Sequence, residues 1–301
     1  MTKHANAPKD PFRSGFIAIL GAPNVGKSTL LNRMLGQKVS ITSKKPQTTR
    51  NRILGILHRP AAQLVFLDTP GIHRAEKPLN VRIVDVALGT LADADLILLL
   101  TDAAAPDRAS EQILLERLKK QSKPVILALN KIDLIPKPLL LELIARWSSA
   151  HAFEALIPIS AARGTQIEEL ITALETALPP GPPFFPEESL TDMPLRFLAA
   201  ETVREKVFRL TGDELPYAAA VTVDTFTETA KLVKIHATIH VERDSQKGIV
   251  IGKNGSKLKQ IGESARKDIE TLVGCKVFLK LFVRVQKNWS KDTKALRKFG
   301  Y

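Results

Sequence analysis

The apolar run GFIAIL (residues 15–20) leads without a break into GAPNVGKS (21–28), and STLLNRML then restarts at helical spacing. A strand that ends in this loop and continues as a helix leaves little choice of fold. Gly21 and Gly26 let backbone N–H groups wrap round phosphate oxygens. Lys27 is placed to reach the β- and γ-phosphates of a nucleoside triphosphate. Ser28 offers a hydroxyl to Mg²⁺, and the helix N-terminus adds partial positive charge. Ala22, Pro23, Asn24, Val25 and Thr29 complete the loop, so Gly21 to Thr29 are all read as nucleotide-binding.

Around that loop, AQLVFLD (62–68), ADLILLLTD (94–102), KPVILALN (123–130) and ALIPIS (155–160) are short apolar runs bounded by turn residues. Fully buried parallel strands have this form. Residues 165–178 put Ile167, Leu170, Ile171, Leu174 and Leu178 on one helical face. Strands alternating with helices predict a doubly wound, mostly parallel α/β domain over 14–180, preceded by a flexible N-terminus at 1–13. Half of PPGPPFFPEE (179–188) is proline, which excludes helix and sheet. A linker is therefore read at 181–194, with Phe184 and Phe185 pinning the domains. Beyond it, a helix at 195–211, strands in AAAVTVDTFTE and KLVKIHATIHVER, a helix at 256–273 and a strand in CKVFLKLFVRVQ (275–286) predict a smaller α+β domain over 195–288. Residues 289–301 form a basic tail.

Charge sharpens the picture. Of a net +13, residues 1–60 carry +10 and residues 245–301 another +10, so the remainder is acidic. Each basic block holds one glycine loop, which points to anionic ligands at both. The only cysteine, Cys275, excludes an intrachain disulfide and a cysteine-based zinc site, and reads as a small core residue. The polar N-terminus has no apolar signal core, and no apolar run approaches the roughly 20 residues that span a bilayer. A cytoplasmic protein is expected.

The base is read from NKID (130–133), at the end of the strand VILAL. Asp133 would accept from the N1 and N2 donors of guanine, a pair that adenine lacks. Asn130 supports this turn. Lys131 would lay its stem along the base or the first loop, and a backbone N–H at Ser160-Ala161 would meet the guanine O6. DTPG (68–71) ends another strand. Asp68 would reach Mg²⁺ through water, Thr69 and Pro70 line the loop, and the Gly71 N–H would sense the γ-phosphate. Ile72 stands where a water-orienting glutamine would be found in Ras-like sites. SKKPQTTRNR (43–52) is basic and poor in core residues. Thr48 and Thr49 are its candidate Mg²⁺ hydroxyls, and the segment reads as one ordered by nucleotide.

The second loop, GIVIGKNG (248–255), has one residue too few for a triphosphate loop and no metal hydroxyl after Lys253. Gly252-Lys253-Asn254-Gly255 instead matches the GXXG loop of a KH domain, where the backbone approaches about four unpaired nucleotides. Ser256 can cap the next helix, and Lys253, Lys257 and Lys259 supply cations. Ile249, Val250 and Ile251 are either groove or core. The tail cations Lys287, Lys291, Lys294, Arg297 and Lys298 either hold an RNA helix or form a solvated face, and Trp289 either stacks or packs.

Together, SGFIAILGAPNVGKSTLLNRMLGQKVSITSKKPQTTR, LDTPGIH and the domain carrying GKNG resemble the Era family of bacterial ribosome-associated P-loop GTPases, down to KALRKFGY. The resemblance implies a P-loop GTPase domain followed by a type II KH domain. It implies GTP as substrate, Mg²⁺ held by Ser28, Thr49 and (through water) Asp68, and Thr49 as the switch threonine. The KH domain would bind the 3′ end of 16S ribosomal RNA through Ile249, Gly252, Lys253, Asn254, Gly255, Lys257 and Lys259, and would serve 30S subunit assembly. Asn24, Lys27, Thr49 and Gly71 are the expected catalytic residues. In related GTPases with asparagine at the position of Asn24, K⁺ can take the part of an arginine finger, so K⁺ is a candidate cofactor beside a partner that accelerates slow intrinsic hydrolysis. The expected protein is a monomer. Its basic charge leaves room for peripheral contact with the inner face of the cell membrane, although no amphipathic helix argues for it. A constitutive RNA scaffold with a vestigial nucleotide site conflicts with the intact Lys27, Ser28, Asp68 and Asp133. A metabolic kinase leaves NKID and the second domain unexplained.

Overall fold

The computed structural model describes residues 11–43, 49–71, 89, 91–212, 215, 219–229, 231–292, 295, 296 and 299. Readings at Thr48, Ile72, Lys294, Arg297 and Lys298 fall outside them. The first unit runs β1 (Arg13–Leu20), α1 (Lys27–Leu35), β2 (Ile53–Arg59), β3 (Ala62–Asp68), β4 (Leu96–Asp102), α2 (Arg108–Leu118), β5 (Val125–Asn130), α3 (Lys137–Ala150), β6 (Ala155–Pro158) and α4 (Ile167–Ala177). The sheet order is β2-β3-β1-β4-β5-β6. Every pairing is parallel except that of β2 with β3.

Alternation along the strands feeds two cores. Ile17, Ile19, Leu98 and Ile126 face α1 and α4, where Leu30, Leu31, Leu170 and Leu174 are buried. Leu20, Ile97, Leu99 and Leu127 face Leu114, Leu118 and Trp147 of α2 and α3. Each such aliphatic side chain contributes about 1.5–3 kcal/mol by leaving water. Strand β2 had no counterpart in the sequence reading. ILGILHR follows a polar segment directly, and only its antiparallel pairing with β3, from Ile53↔Asp68 to Arg59↔Ala62, makes it an edge strand. Arg13 already belongs to β1, so order begins inside the stretch expected to be flexible.

The proline-rich linker lies along the β2 side of this sheet. Ile56 N–H donates to the Leu190 carbonyl at 2.9 Å. The Gln63 side chain accepts from Phe184 and Phe185 N–H at 2.7 and 3.0 Å and donates to the Phe185 carbonyl at 2.7 Å. Phe184 packs against Phe16 with tilted rings, centroids 5.0 Å apart. These phenylalanines therefore hold the linker to the first unit.

The second unit runs α5 (Leu195–Leu210), β7 (Ala220–Glu228), β8 (Leu232–Val241), α6 (Asp244–Ile251), α7 (Ser256–Val273) and β9 (Lys276–Val285). Its sheet is β7-β8-β9, with β7/β8 antiparallel and β8/β9 parallel. Helices α5 and α7 cover one face through Val203, Val207, Ile261, Ala265 and Ile269. Helix α6 was not read from sequence; it carries Ile249–Ile251, with Val250 in the core and Ile249 exposed. Among the described residues, no helix is long and apolar enough to cross a membrane.

Of the two readings left open for Trp289, packing holds, while Lys287 and Lys291 stay exposed. Trp289, Leu296 and Phe299 are buried with Ala220 and Ala295, and the Trp289 and Phe299 rings stand edge to face at 5.2 Å. Apolar spacing from Trp289 to Phe299 outweighs the charge between them. Trp289→Ala should cost about 3–5 kcal/mol, read as an earlier urea unfolding midpoint; an unchanged midpoint would show that this packing adds no stability.

Candidate nucleotide site and RNA-facing loop

The first loop stands at the C-terminal ends of β1, β3 and β5, where a parallel sheet opens a crevice. Its shape depends on close packing. A Cβ on Gly21 would strike the Leu100 carbonyl oxygen, and one on Gly26 (φ 105°) would strike the Asn130 amide. Gly26 also precedes α1 with no side-chain cap, so the first-turn N–H groups are left for a ligand. Ala22 and Val25 turn into the core and can offer a ligand only their backbone. An open cavity of about 400 Å³ is lined by Asn24, Lys27, Ser28, Thr29, Thr49 and Lys131, among others.

Lys27 is buried, and its Nζ donates to the Gly21 and Ala22 carbonyls at 3.0 and 2.9 Å. Burial lowers its pKa to about 8, against the attraction of Asp68. A polyphosphate in this cavity would supply the counter-charge that burial removes. Asp68 is the complementary case. Burial pushes its carboxyl up, opposed by hydrogen bonds from Ser28 and Ser40 and by Lys27. Ser28 Oγ lies 2.7 Å from Asp68 Oδ2 and 2.9 Å from Thr49 Oγ1, so the fold brings the three expected metal residues together. Asp68 Oδ1 is buried with no hydrogen-bond partner. Two hydroxyls and this orphaned carboxylate oxygen form a hard-oxygen set that fits Mg²⁺. When bound there, the metal would neutralise charge on β- and γ-phosphate oxygens.

Asn130 ties the base-reading end to the phosphate end. Its Nδ2 donates to the Val25 carbonyl at 2.7 Å, and its Oδ1 accepts the Ala161 N–H at 2.9 Å. The Ala161 donor expected at guanine O6 is thus engaged within the protein and could serve a base only as a shared donor. Lys131, at φ 67°, reaches the Asn24 carbonyl at 2.9 Å and pairs with Asp102. Asp133 lies in the one-turn 3₁₀ segment Ile132–Leu134, with Arg163 at 3.9 Å. Ser160 is buried, and its Oγ accepts from Arg163 N–H. Thr69 turns away from the cavity to donate to the Ile19 carbonyl at 2.7 Å, and Pro70 is buried; both fasten the DTPG turn. Gly71 lies so close to the first loop that a Cβ would meet Pro23 Cα at 2.7 Å.

Sequence reasoning missed two supports. Ser40 donates to Asp68 Oδ2 at 2.8 Å and is itself held by Asn32. Arg33 donates to the Ala161 and Ala162 carbonyls. Neither residue belongs to a contiguous motif, so no local signal could have found them.

In the second unit, the GKNG turn takes positive φ at Gly252 (71°), Asn254 (52°) and Gly255 (76°). A Cβ on Gly252 would come within 2.6 Å of Lys257 Cβ, whereas beside Gly255 nothing lies within 4 Å. That open side admits a ligand backbone. Lys253, Asn254 and Lys259 are exposed and Lys257 is half-buried. The turn opens a groove of about 540 Å³ between Leu258, Lys259, Gly262 and Arg266 of α7 and Leu279–Leu281 of β9. Arg266 and Lys280 are groove cations that the loop motif did not reveal.

Residues on either side of 44–48 touch the second unit. Lys38 pairs with Glu205 and, at 2.8 Å, with Asp268. Thr42 N–H donates to Glu205 Oε1 at 3.1 Å, and Arg209 donates to the Thr42 hydroxyl at 2.8 Å. Arg50, next to Thr49, is buried. Its Nη1 donates to the Ala219 carbonyl at 3.0 Å, and its guanidinium lies 5.8 Å from the centroids of both Phe208 and Trp289.

A triphosphate loop with its metal hydroxyls, a guanine-reading turn and a GXXG groove on a three-stranded sheet define a GTP-hydrolysing P-loop protein with a KH domain. Residues 16–131 match the family model described as 50S ribosome-binding GTPase, and residues 214–290 match that of the KH domain. The chain is 55% identical over 291 residues to the GTPase Era of Geotalea uraniireducens, covering 96% of this chain and 98% of that one. It is 54% identical over 294 residues to that of Geobacter metallireducens, covering 97% and 99%. The solved structure of a point variant of Aquifex aeolicus Era bound to GDP·AlF₄⁻ aligns with a TM-score of 0.92 at 42% identity, covering 96% of this chain and 99% of that one. A structure of Era with MgGDPNP and nucleotides 1506–1542 of 16S ribosomal RNA aligns at 0.91 and 42%, with the same coverage. The chain belongs to the Era family of GTPases.

Asp133→Asn replaces an acceptor with a side chain that can donate. GTP affinity should fall by about 100-fold or more, and xanthosine triphosphate, which has a carbonyl where guanine has its 2-amino group, should become the better ligand in a titration. Gly71→Ala should slow GTP hydrolysis at least tenfold, read as phosphate release, because the new methyl must displace the Pro23 backbone of the first loop.

Proposed function

We propose that this protein is a GTP-switched RNA-binding factor that acts on the 3′ end of 16S ribosomal RNA during assembly of the 30S subunit. The observation that carries this reading is the covalent neighbourhood of Thr49 and Arg50. Thr49 belongs to the metal cluster, and Arg50 is anchored in the KH unit. A γ-phosphate and Mg²⁺ that draw Thr49 inward must therefore shift or strain the Arg50 anchor, so nucleotide state and KH position are linked. The RNA complex of the Era relative supports the choice of ligand. On this reading the chain works as a cytoplasmic monomer, and any membrane contact is peripheral.

Hydrolysis is slow without help, on the order of 10⁻⁴–10⁻² s⁻¹. Asn24, at φ 63° in the first loop, is our candidate to hold K⁺ beside the phosphates. Turnover in KCl should exceed that in NaCl, and equal rates would discard the potassium role.

Arg50→Ala tests the linkage. It should preserve GTP binding, and it should erase the difference in affinity for an RNA of the 16S 3′-terminal sequence between GTP-analogue and GDP states. A variant that keeps the full nucleotide dependence would refute this route of coupling.

A further inference from the structure

The KH sheet has one face under helices; on the other, Trp289 and Phe299 cover the Ala220–His240 end, and the part along β9 that stays open has an unusual side-chain pattern. On β9, Phe278 and Phe282 point outward and are 50% and 44% exposed. Residues four apart on a strand lie roughly 13 Å from each other. The His236 ring of β8 fills that interval, its centroid 6.3 Å from each phenylalanine ring and edge-on to both. Cations separate the rings: Lys280 lies between the phenylalanines with its Nζ 5.2 Å from the Phe282 centroid, and Arg284 follows two residues on. The exposed residues of β9 include no acid.

We propose that Phe278, His236 and Phe282 form a stacking surface for unpaired RNA bases, which extends the path of a strand leaving the GKNG groove. This rests on the reading of the KH unit as RNA-binding and adds a second contact to it. Exposed rings alternating with cations suit bases and phosphates together, because every base offers a π-face and every linkage a negative charge. A protein partner would favour an apolar patch without that regular cation spacing. Continuity comes from β9 itself, since Leu279, Lys280 and Leu281 wall the groove opposite α7. RNA that crosses this edge strand reaches the open face directly. Near Phe282, the Asp224 carboxylate accepts from Thr238 at 2.6 Å, which marks one end of the basic stretch.

The test uses the full chain and two RNAs, a four-nucleotide and a twelve-nucleotide CA repeat, each with 2-aminopurine in place of its last adenine. Phe278→Ala/Phe282→Ala should bind the short RNA as the parent does. It should bind the long RNA about tenfold or more weakly and lose the fluorescence quenching that stacking produces. Phe278→Tyr/Phe282→Tyr should restore both, whereas Leu at both positions should not. Equal affinity and quenching in the alanine variant overturn the proposal. Lys253→Glu should weaken both RNAs; if it weakens neither, the RNA-binding reading itself fails, and this proposal with it. Loss of binding to phosphatidylglycerol vesicles in the alanine variant, with RNA binding intact, would make the face a membrane contact and overturn the proposal.

Discussion

The arrangement depends on a buried carboxylate. Asp68 stands at the end of β3 with one oxygen held by Ser28 and Ser40 and the other without a partner. Burial disfavours its charge, and Lys27, the nearby cation, is itself depressed by burial. Two opposite charges taken out of water are costly to keep. A metal ion and a polyphosphate relieve both costs at once. The affinity of the loop for its ligands thus grows out of the burial of these two charges.

That cluster is also continuous with what lies beyond it. Thr49 reaches Ser28, and the next residue, Arg50, is fixed between Phe208 and Trp289. Glu205, fully buried on α5, gathers Lys38, Thr42 and Arg209 around one carboxylate. Removing one partner from such a buried network costs far more than a surface pair would contribute. Lys38 and Thr42 on one side and Arg50 on the other are therefore docked on the KH unit, and Trp289 of the tail supplies part of the dock.

The two glycine loops use the same backbone freedom for different ligands. In GAPNVGKS, glycines permit tight packing against Leu100 and Asn130, which focuses N–H groups on one compact polyanion. In GKNG, the space beside Gly255 is open, and the turn faces a groove walled by α7 and β9. One concentrates charge at a point; the other spreads it along a strand.

Both loops, NKID and DTPG were legible in the sequence, because phosphate, base and metal chemistry each demand a few residues at short, fixed spacing. The parallel sheet was legible too, since fully buried strands appear as uninterrupted apolar runs. Strand β2 was not: half of its identity lies in its pairing with β3. Ser40 on Asp68, Arg33 on the guanine loop, the buried Trp289 and the Arg50 anchor were equally hidden. Each joins residues far apart in the chain, such as the 169 positions between Arg50 and Ala219, and a lone serine or arginine carries no local signal of its partner. The sequence by itself determined which ligands the loops suit. Only the tertiary structure decided that the nucleotide unit is docked on the KH unit, because that docking resides in contacts between distant segments and contacts exist only once the chain has folded.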